Sequence, residues 1–258
     1  MIGALDFAYP QARVQARYAA LPTETEWQRL AGARTLGAYL EDARVGPMRP
    51  WVKGFSALSG AHDVERGLRA LAWEQVQEVA AWVPGAWRPS VAWIAWLPFL
   101  AVLEQLARTA PLPRWLAQDP RLAELLDDDG VASADALERR GLTVLVSEGD
   151  AEQVLSRWVN AWQSRLPTLR RGTTRQLELF SRDLRAHLAV FRRSSPDAAW
   201  GLRQTLRERL RLRFHQHPLQ PLTVFLYLAL ILLDLERLRG ELVRRCVYSP
   251  GAPGGEPA

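Results

Sequence analysis

The stretch Leu202-Arg203-Gln204-Thr205-Leu206-Arg207-Glu208-Arg209-Leu210-Arg211-Leu212-Arg213-Phe214 has an apolar residue at every fourth position: Leu202, Leu206, Leu210 and Phe214. Arg203, Arg207 and Arg211 follow one place behind. A step of four keeps each set on one side of an α-helix, so the segment reads as a helix with a core face and a cationic face beside it. The same reading extends in both directions. Downstream, His215 and His217 close the helix ahead of the Pro218 turn, and residues 221–246 form a long final helix. Upstream, basic residues dominate a helix over 174–193, and a further one over 196–214 contains the quoted stretch.

The rest of the chain is punctuated in the same way. Pro10 suits the first turn of an opening helix over 9–21. Thr23 and Glu26 have the spacing of a capping box, which starts a second helix at 24–31. Leu36, Tyr39 and Leu40 mark a third helix over 35–43, after which Gly46-Pro47 and Arg49-Pro50 break the chain. Helices are predicted over 63–83 and 90–108, and then over 114–126, 133–140 and 150–165, with Ser133 and Asp150 placed to cap the last two. Gly54 to Gly60 reads as a loop. Only Leu142-Thr143-Val144-Leu145-Val146 looks strand-like, and one short strand makes no sheet. The expected class is therefore all-α, a multi-helix, bundle-like body built of short helical subdomains. Pro111-Leu112-Pro113 is the expected boundary between an N-terminal helical region, 1–110, and a C-terminal one, 114–248, packed together as one body. The Pro/Gly-rich residues 249–258 are expected to be a disordered tail.

Composition narrows the function. Of the 258 residues 48% are hydrophobic and 24% charged, which is globular and supports a core without staples. The single cysteine, Cys246, forms no internal disulfide and fits a reducing compartment. No basic region followed by an apolar run opens the sequence, so no secretory signal is expected. Residues 91–106, which include Pro98, and 222–233 fall short of the about 20 apolar residues of a membrane span and read as core helices. The net charge is +5, with Lys53 the only lysine. Its distribution is uneven: acids outnumber bases ten to three over 119–152, and bases outnumber acids eighteen to seven over 157–245. An acidic and a basic region suit an adaptor between unlike surfaces.

No phosphate-binding, dinucleotide-binding, zinc-hydrolase or nucleophile-elbow motif is present, and spacing pairs no acid with a base, so neither catalysis nor a cofactor is expected. Asp127-Asp128-Asp129-Gly130 lacks the alternating ligands of a calcium loop and reads as a solvated helix end. His215 and His217 have no further ligands at zinc spacing. The eleven tryptophans could offer a stacking surface, but Trp93 and Trp96, three apart, and Trp158 and Trp162, four apart, have core spacing. Arg203, Arg207, Arg209, Arg211 and Arg213 form an alternative anion-binding face, suited to nucleic acid or an anionic membrane surface.

The two ends carry a more specific pattern. Phe7-Ala8-Tyr9-Pro10-Gln11-Ala12-Arg13-Val14-Gln15-Ala16-Arg17, followed by Glu26-Trp27-Gln28-Arg29-Leu30 and Leu36-Gly37-Ala38-Tyr39-Leu40, resembles the start of the C/d-type subunit of V-type and archaeal-type rotary ATPases. Phe225-Leu226-Tyr227-Leu228 and Asp234-Leu235-Glu236-Arg237-Leu238-Arg239 look like that family's last helix, with Asp234 where the family usually has glutamate. The chain is shorter than usual members, and its tryptophan-rich middle, 73–115, carries no family pattern. The resemblance implies a funnel of helical subdomains on the cytoplasmic face of the membrane, peripheral to it. Such a subunit binds the rotor ring and the central stalk and has no active site of its own. On this reading Arg13, Arg17, Asp234 and Arg239 are the candidate polar contacts with partners.

Overall fold

The computed structural model describes residues 4–108, 112–127, 129–146 and 153–248, and in these every regular element is helical. In chain order they are α1 (Ala8–Ala19), α2 (Glu24–Ala31), α3 (Leu36–Val45), α4 (Arg49–Val52), α5 (Ala61–Trp82), α6 (Arg88–Trp93), α7 (Leu100–Ala107), α8 (Arg114–Ala117), α9 (Pro120–Ala123), α10 (Ala134–Arg139), α11 (Thr143–Val146), α12 (Val154–Ser164), α13 (Arg171–Arg193), α14 (Pro196–Gln216) and α15 (Pro221–Tyr248). Short 3-10 turns precede α1 and flank α6. The all-α expectation holds.

Local signals explain most boundaries. The capping box forms as read: the Glu26 N–H donates to Thr23 Oγ1 at 3.3 Å, and the Thr23 N–H donates to Glu26 Oε2 at 2.6 Å. Ser133 and Ser195 cap α10 and α14. Asp150, the other expected cap, and the tail 249–258 lie outside the described residues. Four expectations need correction. Arg49-Pro50 does not break the chain but opens α4, where proline is tolerated in the first turn. The single helix expected over 114–126 divides at Asp119-Pro120, because Asp119 accepts from the Arg121 N–H and starts α9 anew. On either side of Asp128, which lies outside the described residues, the acidic stretch turns and ends no helix: the Asp127 carboxylate accepts from the N–H groups of Asp129 and Val131, and Gly130 has φ +75°, an open conformation for glycine. The strand-like residues 142–146 are helical. Gly141, at φ +65°, ends α10 in a Schellman motif, with its own N–H on the Glu138 carbonyl and that of Leu142 on Leu137. One helical turn then buries both Leu142 and Leu145, which a strand would point to opposite faces.

The chain divides into two compact units, but not at 111–113. The first comprises Met1–Ala72 and Arg170–Ala258, and the second Trp73–Leu169, so the division falls within α5. The physical reason is that α1 and α3 pack on α15, Tyr18 of α1 stacks on Phe214 of α14, and Glu24 of α2 is tied to Arg237 of α15, so the two ends of the sequence share one unit. In the first unit α15 is the central helix. Its residues Leu222 to Leu228 are all buried, as are Leu230, Ile231, Leu235, Leu238 and Leu242, and α1, α3, α13 and α14 all pack on it. Gly67 of α5 lies under Phe55 so closely that a Cβ there would meet the ring at 2.6 Å.

In the second unit the helical run Gly85–Ala107 is longer than the apolar stretch read at 91–106, and by length and composition alone it is apolar enough to cross a membrane. It passes through a 3-10 stretch, Ile94–Phe99, that contains Pro98, and Val91, Trp93, Ile94, Trp96, Phe99, Val102, Leu103 and Leu106 are buried within the protein. Eight of the eleven tryptophans are buried, which bears out the core reading of their spacing. Trp73 meets Trp96 and Phe99 edge-on, and the Trp93 indole donates to the Trp158 carbonyl at 3.1 Å.

The uneven charge read from sequence coincides with this division. By sequence the first unit holds 25 Lys and Arg against 15 Asp and Glu, and the second 8 against 13.

Candidate functional site

In the first unit α14 and α15 lie side by side, and Asp234 and Arg239, two of the four polar groups singled out at the ends of the chain, belong to the network around them. A four-residue turn, 217–220, joins them. It needs help, since Leu219 adopts φ +58°, and that help comes from α1: the Leu219 N–H donates to Gln11 Oε1 at 3.2 Å. With Leu206, Leu210 and Phe214 buried, α14 turns Arg203 and Arg207 of the neighbouring row toward α15 and leaves Arg211 exposed.

Arg207 is the most deeply placed of that row. Its Nε and Nη2 donate to the two carboxylate oxygens of Asp234 at 2.9 and 3.3 Å, and Nη2 also reaches the Pro22 carbonyl at 3.2 Å. Asp234 is only 1% exposed. Burial pushes its carboxyl pKa above the ordinary value, and the hydrogen bonds from Arg207 pull it part of the way back. A fork-on-fork pair in a dry setting fixes the register of two helices, and each member is costly to leave alone.

Further pairs extend the lattice. Arg203 reaches Glu236 at 3.3 Å. Arg239 donates to Glu236 through Nε and Nη2 at 2.9 and 2.7 Å and to Glu65 of α5 through Nη1 at 2.6 Å, and these carboxylates hold its pKa above the ordinary arginine value against the effect of burial. Arg237 grips Glu24 of α2 with both Nη atoms, at 2.7 and 3.0 Å, and lies between the rings of Trp27 and Trp200, each centroid 4.4 Å away. Those hydrogen bonds hold the Glu24 carboxyl below its ordinary pKa. Near the end of α15, Arg245 donates to the carbonyls of Leu30, Ala31 and Ala33, at and just past the C-terminus of α2.

These placements revise the expected partner contacts. Asp234 is inside the protein and is not a surface contact, because the apolar run before it carries it into the core where Arg207 neutralises it. Arg239 is partly buried and already held by two carboxylates. Arg13 and Arg17 are exposed on the outer side of α1. The anion-binding face expected on α14 is likewise diminished. Arg203 and Arg207 are tied to α15 and Arg213 to Asp183 at 2.6 Å, while Arg209 and Arg211 are exposed, the latter 3.9 Å from Glu208. Sequence reasoning did not single out Arg237, Arg245 or Glu24 as a connected set. A usable signal was present: arginines at 237, 239, 244 and 245 in an otherwise core-forming helix each need a partner.

Among the described residues no group of His, Cys, Asp and Glu could hold a metal ion. No family model, no curated protein and no solved structure matches the chain.

Proposed function

We propose that this protein is a non-catalytic adaptor subunit of a V/A-type rotary ATPase, peripheral to the cytoplasmic face of the membrane, which couples the central stalk to the rotor ring. The observation that carries the reading is the meeting of the two family-like ends. Residues 8–31 and 221–245, far apart in sequence, form one packed unit through α1 against α15, the Glu24–Arg237 fork and the Arg245 clamp on the end of α2. An adaptor that transmits torque needs helices that do not slide past one another, and bidentate arginine pairs resist sliding because a shift of one turn breaks both bonds at once. The opposite charge balance of the two units supports docking to unlike partner surfaces, since charge complementarity selects partner and register.

The test is affinity purification of the tagged protein from gently solubilised membranes of its native host. Recovery of rotor-ring and central-stalk subunits is the expected result, and charge reversal at Arg13 and Arg17 is expected to reduce it. Recovery of neither subunit sinks the reading.

A further inference from the structure

A second basic helix lies in the first unit, and its arginines are placed unlike those of α14. In α13 the buried and half-buried side is Leu177, Phe180, Ser181, Leu184, Leu188 and Phe191, which packs toward α14 and α15. On the opposite side, Arg171, Arg175, Glu178, Arg182, Arg185, Ala189 and Arg193 succeed one another in steps of four and three, and all seven are exposed. Arg182 lies 3.4 Å from Asp183, while Arg171, Arg175, Arg185 and Arg193 form no ion pair among the described residues. Over its 23 residues the helix is about 33 Å long at about 1.5 Å per residue.

We propose that this outer side of α13 is a docking seam for one acidic α-helix of a partner protein. Steps of four and three are the repeat with which one helix follows another, and a partner with carboxylates at the same repeat meets an arginine at five of the seven places. Glu178 sets the register, because the partner helix must carry a base opposite it. Ala189 leaves room for close approach of the second helix. Two other classes of partner fit less well. A helix that lies in a membrane surface carries several bulky apolar residues beside its cations, whereas those of α13, Val190 excepted, are on the inward side. Nucleic acid rewards positive charge without regard to register, so the single acid in the seam would only weaken it. The proposal stands independently of the adaptor reading.

The test uses the full chain and fluorescence anisotropy with labelled helical peptides of about 24 residues, enough to span the seam at about 1.5 Å per residue. One peptide has glutamates at the seam repeat with a lysine at the third seam place, a second has that lysine at the fifth place for the opposite orientation, and a third has the same composition scrambled. One of the first two is expected to bind about tenfold more tightly than the scrambled peptide. The variant R175E/R185E/R193E is expected to lose that binding while its helical circular dichroism is unchanged, and E178K is expected to prefer a peptide with glutamate in place of the lysine. Equal binding of the scrambled peptide, or undiminished binding by the triple variant, overturns the proposal. So does failure of both ordered peptides, whether or not phosphatidylserine-containing vesicles, duplex DNA or a second copy of the chain binds in their place.

Discussion

In the first unit the longest reaches between helices are made by arginines: Arg207 to Asp234, Arg237 to Glu24, Arg239 to Glu65 and Arg245 to the end of α2. In the second unit they are made by indoles. Trp73 meets Trp96, Trp93 bonds to the Trp158 carbonyl, and the Arg165 guanidinium lies 3.8 Å from the centre of the Trp93 ring. The difference has a physical consequence. Aromatic packing gains from area and tolerates small shifts, whereas a buried ion pair is directional and holds one alignment or none. The first unit is thus built for fixed helix register and the second for bulk cohesion. The tryptophans are divided accordingly, eight of the eleven lying in the second unit, so tryptophan emission reports mainly on that unit while circular dichroism reports on both.

The largest test of this contrast is Trp93→Ala. It removes a buried indole together with the hydrogen bond that it gives the Trp158 carbonyl, and takes away the surface on which Arg165 lies. The expected cost is about 3–5 kcal/mol in denaturant unfolding followed by tryptophan emission. Asp234→Asn comes next. It keeps the shape but strips the charge that faces Arg207, at an expected cost of about 3 kcal/mol. The ion pair can also be replaced as a whole. Adding Arg207→Met to Asp234→Leu is expected to recover most of the loss, since an apolar pair of similar volume replaces the ions, and a double-mutant cycle measures that coupling. If the second change merely adds to the first, the ion pair is not what holds these helices.

The sequence readings failed and succeeded along the same division of forces. Helix identity was legible wherever the apolar period ran for several turns, as in α14 and α15, and the Thr23 cap was legible because its chemistry is local. Residues 142–146 misled because β-branched residues in a five-residue stretch carry no period, and the burial of Leu142 and Leu145 is decided by contacts elsewhere in the chain. The role of Asp234 was misplaced for a related reason. Sequence shows an acid after an apolar run, but the fact that Arg207, 27 positions earlier, comes to meet it depends on the 217–220 turn and on Gln11. The domain boundary was misread because Pro-Leu-Pro marks a local stop, whereas the division follows contacts between the two ends of the chain.

A smaller effect tests the tightness of the first unit. Gly67→Ala adds only a methyl group, and in an open helix alanine would be favoured by about 1 kcal/mol. Here the methyl group meets Phe55, so the expected net loss is about 1–2 kcal/mol, recovered when Phe55→Leu makes room.

The smallest effect is on acid stability, where the contrast has a sign. Arg237 lowers the pKa of Glu24 in the folded protein, so this pair contributes stability above the ordinary carboxylate pKa of about 4.3 and loses it as pH falls through the lower folded value. Because the Glu24 side chain is 43% exposed, solvent screening keeps the contribution under about 1 kcal/mol. The expected observation is that helical circular dichroism declines on acidification before tryptophan emission shifts, and that Glu24→Gln, slightly less stable at neutral pH, flattens the early decline. Coincident changes in both signals would mean that the two units unfold as one. In that case the division between an ion-paired and an aromatic unit would describe how each is packed and not how each yields.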